Sequence, residues 1–153
     1  MRQIVCPGVL FIAEAIVAPR DILPYFGDAQ HDECQGAYNA TLMALLWDAV
    51  ATGNKRVLEQ ALGELPHKPA RTTWLNYVRC HDDIGLGFEG CLDCRQWPVP
   101  YQHRLYLKDY LSGRFPGSTA RGALFGVNDK TGDARISGSL ASLAGLEAAL
   151  DSE

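Results

Sequence analysis

Residues 73–86, TWLNYVRCHDDIGL, constrain this chain more than any other stretch. An apolar, β-prone run (Trp74, Leu75, Tyr77, Val78) leads into Cys80-His81-Asp82-Asp83 and then Gly85. The pattern predicts a buried strand over 73–80 whose C-terminal tip presents an imidazole and two carboxylates. Ionisable groups in a row are poor core material, and in parallel α/β folds the strand tips are where chemistry sits.

The segments before it fit such a fold. Residues 9–13, VLFIA, form a second apolar run that ends in Glu14 and predicts a fully buried parallel strand. A short helix over 19–26, closed by Gly27, and a short strand over Cys34–Tyr38 follow. Asn39 is placed to cap a long helix whose apolar residues Leu42, Leu45, Leu46, Ala49 and Val50 recur at helical spacing. Gly53-Asn54 breaks that helix, and Val57, Leu58, Ala61 and Leu62 continue the pattern. Strand, short helix, short strand, long helix and strand in this order predict βα units around a parallel sheet. Beyond Ile84 the texture changes. Residues 84–138 carry nine glycines and three prolines, with one helix expected around His103–Leu111 and turns elsewhere. A last amphipathic helix is expected over Leu140–Leu150, capped by Ser137 or Ser139.

Composition excludes several classes of partner. A net charge of −4 with no basic stripe argues against nucleic acid. The apolar run at 4–17 after Arg2 superficially resembles a signal peptide, but Pro7, Gly8 and Glu14 interrupt it, Pro19 follows in place of a small-residue cleavage site, and it is too short to span a bilayer. Five cysteines without an export signal predict reduced thiols in a cytoplasmic setting. Cys91-x-x-Cys94, with Cys80-His81 before it and His103 after, offers a zinc site in principle, but its spacing fits no common finger. No metal or cofactor is expected.

Glu14 and Asp82 lie 68 residues apart. A (β/α)8 barrel of roughly 250 residues spends about 31 per unit, so the two acids fall about two units apart and point into one cup at the C-terminal face. Converging carboxylates suit glycosidic chemistry. One acts as a protonated acid on the leaving oxygen, and others stay ionised beside an oxocarbenium-like transition state.

FIAEAIVAP (11–19), DECQGAYN (32–39), MALLW (43–47), WLNYVRCHDDIG (74–85), GRFPGSTARG (113–122) and TGDARISG (131–138) closely resemble, in the same order, amylosucrase-like members of the α-amylase superfamily, glycoside hydrolase family 13. The resemblance implies part of a (β/α)8 TIM barrel, about units five to seven. Residues 1–83 would supply the partial barrel, 84–138 a loop-rich subdomain inserted after strand seven, and 139–153 the start of the following barrel helix. It makes Glu14 the general acid/base and Asp82 the transition-state stabiliser, both catalytic. His81 would contact the donor glucosyl ring, and Asp83, Glu33, Arg135 and, on a more divergent block, Arg104 would line the subsites. Sucrose or an α-glucan oligosaccharide is the implied partner.

The departures carry equal weight. The family's nucleophile is an aspartate in an Arg-x-Asp-Ala motif on strand four, and no such motif precedes Glu14; Gly132-Asp133-Ala134 has Thr131 in place of the arginine. Leu86 stands where a tryptophan is common. The isolated chain is therefore expected to have negligible activity. A three-strand sheet cut from a barrel exposes its edges, so self-association or dependence on the missing barrel half is expected. The alternative is a truncated or split polypeptide with no catalytic role of its own.

Overall fold

A computed structural model describes residues 5–28, 30–86 and 100–152 of the 153. Three parallel strands form a sheet in the order β1 (Ile12–Ala13), β2 (Gly36–Tyr38), β3 (Thr73–Leu75). Ala37 pairs with Ala13 on one side and Trp74 on the other, and is fully buried. Gly36 suits its place because a Cβ there would lie 2.7 Å from Leu75 Cδ1.

Helix α1 (Leu23–Phe26) packs Phe26 edge-on to Trp74, with ring centroids 5.3 Å apart. It is shorter than the helix expected over 19–26, although Gly27 closes it as expected. Helix α2 (Ala40–Thr52) follows β2 directly. Asn39 Oδ1 accepts the Leu42 N–H at 3.1 Å, and Gly53, at φ 64°, ends the helix in the left-handed region that a side chain disfavours. Helix α3 (Arg56–Gly63) folds back on it, burying Ala61 against Leu45.

The long 73–80 strand does not form. β2 has three residues to pair with, because the chain turns into α2 at Asn39–Ala40, so the ladder stops at Leu75. From there side chains take over. Asn39 Nδ2 donates to Asn76 Oδ1 at 3.1 Å, and Trp47 Nε1 donates to the Val78 carbonyl at 2.8 Å. The fully buried strand expected at 9–13 is likewise two residues long. It lies at the sheet edge, where Leu10, Ile12 and Ile16 are exposed.

Helix α4 (Pro100–Leu111) contains the helix expected at 103–111. The turns expected beyond it include an antiparallel hairpin, β4 (Ala123–Phe125) with β5 (Arg135–Ser137). Ile84 and Ile136 exchange backbone hydrogen bonds of 2.8 and 3.1 Å. Met43, Trp47 and Ala51, one stripe of α2, share a core with Ile84, Leu86, Leu107, Leu111, Ile136 and Leu143. The last helix is two: α5 (Leu140–Leu143), capped by Ser139, and α6 (Leu146–Leu150), separated at Gly145 with φ 76°. A Cβ at Gly145 would collide with Thr119, and the left-handed backbone there ends one helix and starts the next.

The result is a small α/β domain with a parallel three-strand sheet and six helices among the described residues. No helix among them is long and apolar enough to cross a membrane. Cys91 and Cys94 lie outside the described residues.

Candidate active site

Glu14 directly follows β1, and His81-Asp82 lie in the loop that leaves the C-terminal end of β3, six and seven residues beyond Leu75. The two segments meet. His81 Nε2 lies 3.4 Å from Glu14 Oε1 and 3.7 Å from Asp82 Oδ1, and one side-chain atom from each of the three residues falls within 4.8 Å of the others. The side chains are 46% (Glu14), 70% (His81) and 44% (Asp82) exposed, so a ligand can reach all three. The set also has donor types that a divalent cation accepts.

A cleft of about 1150 Å³ adjoins the trio through Asp82. Asp83, Arg104, Arg135, Tyr77, Arg79 and Asp133 line it as well. Asp83 and Arg135 form an ion pair at 3.1 Å, which ties the strand tip to the start of β5. Arg104, on α4, stands 3.9 Å from Asp133. The hairpin loop is also held to α4 by Lys108 Nζ, which donates to the Gly132 carbonyl at 3.0 Å, and by the Tyr101 hydroxyl, which donates to the Thr131 carbonyl. Glu33 is placed differently. It sits exposed on the loop between α1 and β2, its N–H donating to the Phe26 carbonyl at 3.3 Å, and it does not line the cleft.

Two cleft residues were not singled out from the sequence. Burial, followed by the nearby Cys80, Asp82, Tyr38 and Glu14, pushes the Tyr77 phenol up to about 12. Tyr77 therefore remains a neutral hydrogen-bonding group throughout the physiological range. Arg79 directs its guanidinium at backbone carbonyls: Nε donates to Gly138 at 2.6 Å, and Nη1 donates to Cys80 at 2.7 Å and also to Asp82. An arginine next to the ionisable run was the available signal, but its backbone acceptors are invisible without the fold. A buried pair, Asp48 on α2 and His103 on α4 at 2.5 Å, joins the two helices behind the cleft.

No family model matches the chain. It is 33% identical over 82 residues to the trehalose synthase/amylase TreS of Mycolicibacterium smegmatis, a match covering 52% of this chain and 14% of that enzyme. It is 37% identical over 82 residues to the glucosylglycerate phosphorylase of Escherichia coli K12, covering 54% and 14% respectively. With the glucosylglycerate phosphorylase of Allomeiothermus silvanus it shares 34% identity over 131 residues, covering 71% of this chain and 23% of that enzyme. The chain thus spans less than a quarter of the length of these relatives. The similarities support the α-amylase superfamily, and none of these relatives is named an amylosucrase.

Proposed function

We propose that this chain carries the acid/base half of a retaining α-glucosyl-transferring site, laid out as units five to seven of a (β/α)8 barrel with residues 84–138 as its inserted subdomain. The observation that carries the reading is the convergence of Glu14, just after β1, with His81 and Asp82, in the loop leaving the parallel strand β3. Glu14 protonates the leaving glycosidic oxygen and then takes the proton of the incoming acceptor. Asp82 holds the distorted sugar ring through hydrogen bonds that strengthen in the transition state, and His81 orients the ring. Asp83, Arg135 and Arg104 contact the sugar from the cleft. Glu33 belongs to the reading only if the loop between α1 and β2 closes toward the trio.

The nucleophile comes from a strand outside this sequence, so the chain alone turns over no substrate. The exposed Leu10, Ile12 and Ile16 at the β1 edge support a sheet completed by a further polypeptide or by self-association. The donor is an α-glucoside. Sucrose follows from the amylosucrase-like blocks, whereas the names of the relatives favour trehalose or glucosylglycerate and add phosphate as an acceptor.

The test is complementation. A polypeptide supplying strands one to four, with its Arg-x-Asp-Ala motif, is mixed with this chain and offered sucrose, trehalose and glucosylglycerate, with and without inorganic phosphate. Activity that appears only in the mixture and vanishes in Glu14→Gln is expected. Turnover by this chain alone, or turnover indifferent to Glu14→Gln, would sink the reading.

A further inference from the structure

The run Cys80-His81-Asp82-Asp83 belongs to no strand or helix, yet it has to hold His81 and Asp82 against Glu14. No ladder runs through it: the β2–β3 pairing ends at Leu75 and the next backbone pair, Ile84 with Ile136, begins after Asp83. One side chain gathers the surrounding backbone. Arg79 Nη1 donates to the carbonyls of both Cys80 and Asp82, residues i+1 and i+3 from Arg79 itself. Two carbonyls converging on one nitrogen force the chain between them to curl around the guanidinium. The residue between them, His81, is thrown to the outside of the curl, where its side chain is 70% exposed and meets Glu14. The other edge of the guanidinium, Nε, donates to Gly138, directly after β5, at 2.6 Å. The curl is thereby pinned to the hairpin that carries Arg135.

We propose that Arg79 is the positioning residue of this site: it sets His81 and Asp82 relative to Glu14 by coupling the 80–82 backbone to the segment after β5. A planar guanidinium has donors on two edges at fixed angles, and a lysine ammonium does not. The charge also suits the task, because hydrogen bonds from a cation to carbonyls are stronger than neutral ones. The inference rests on the glycosyl-transfer reading for its purpose but not for its geometry.

The experiment uses the full chain, labelled for NMR, in three forms: wild type, Arg79→Met and Arg79→Lys. In the wild type, a slowly exchanging Arg79 Nε–H with cross-peaks to Gly138, and cross-peaks between the His81 ring and the Glu14 side chain, are expected. In Arg79→Met, exchange of the Ile84 amide, which donates to the Ile136 carbonyl directly after the run, rises about tenfold or more while exchange in α2 is unchanged, and the His81–Glu14 cross-peaks disappear. Arg79→Lys restores thermal stability toward wild type but not the cross-peaks. Maltose is then added. In the wild type it shifts the His81 ring signals, and in both variants that response is lost. Persistence of the His81–Glu14 cross-peaks in Arg79→Met overturns the inference, as does a wild-type Arg79 Nε–H that exchanges freely; the latter decides the matter even if both variants unfold. A wild type that shows the cross-peaks but ignores maltose counts against the glycosyl reading and leaves the role of Arg79 standing.

Discussion

The indole N–H of Trp47 donates to the carbonyl of Val78 at 2.8 Å, so a buried residue in the middle of α2 holds the backbone three residues before His81. Helix, sheet and candidate site are joined here by a side chain rather than by a ladder. Trp47→Phe removes this bond and part of the packing against Met43 and Leu107. The expected cost is about 2 kcal/mol, from a lost hydrogen bond and a small cavity. Urea unfolding measures it, and amide exchange should rise at Ile84, whose N–H donates to the Ile136 carbonyl just beyond the site segment. An unchanged exchange pattern there would show that the bond does not hold the site segment.

Asn39 serves two elements at once, accepting from Leu42 N–H at the start of α2 and donating to Asn76 just beyond β3. Asn39→Ala should cost about 1–2 kcal/mol. Asn39→Asp keeps the cap and loses the donor, so it should cost less than the alanine variant. Equal losses for the two substitutions, read by thermal melting, would assign the whole effect to the Asn76 link.

Asp48 is almost fully buried and its Oδ1 meets His103 Nε2 at 2.5 Å. Asp48→Ala leaves the imidazole without its carboxylate and opens a cavity between α2 and α4, with an expected loss of about 3 kcal/mol. The double variant Asp48→Leu with His103→Leu, which removes both polar groups, should recover much of that loss. A double-mutant cycle with no coupling energy would show that the pair does not join the helices.

The raised Tyr77 phenol gives a pH signature. A group whose folded-state pKa exceeds its unfolded value stabilises the fold below the unfolded pKa, here ordinarily 10, and loses that contribution as pH rises toward the folded value of about 12. Stability should therefore fall between pH 10 and 12, and the fall should be shallower in Tyr77→Phe. Phenolate absorbance should show Tyr77 among the late-titrating tyrosines, beside Tyr106, whose phenol burial also pushes up, and the late signal should shrink in the variant. In Asp82→Asn Tyr77 should titrate earlier, since a negative neighbour is gone.

Sequence and structure agree best where local chemistry decides. Asn39 and Gly53 mark the two ends of α2, and Gly27 and Ser139 mark two more helix boundaries, because caps act through neighbouring atoms alone. Strand lengths were overread because a strand is only as long as its partner, and β2 gives way to a helix after three residues. The β4–β5 hairpin went unseen because three residues per strand carry too little alternation. At the site, Glu14, His81 and Asp82 were grouped from spacing and expected strand tips, and their side chains do lie together, although β3 ends at Leu75 and the tip expected at 80 is a loop. Arg79 was not, since its acceptors are main-chain carbonyls with no residue signature, one of them 59 positions away.

The Ile84–Ile136 backbone pair and the core it sits in join the described residues on either side of position 84. Residues before 84 supply one wall of that core and residues after it supply the other. Exchanging the hairpin segment with that of a relative would therefore graft a new half-interior onto an old one, and a swap designed along loop boundaries would misfit at Trp47 and Leu107 before it altered any sugar contact.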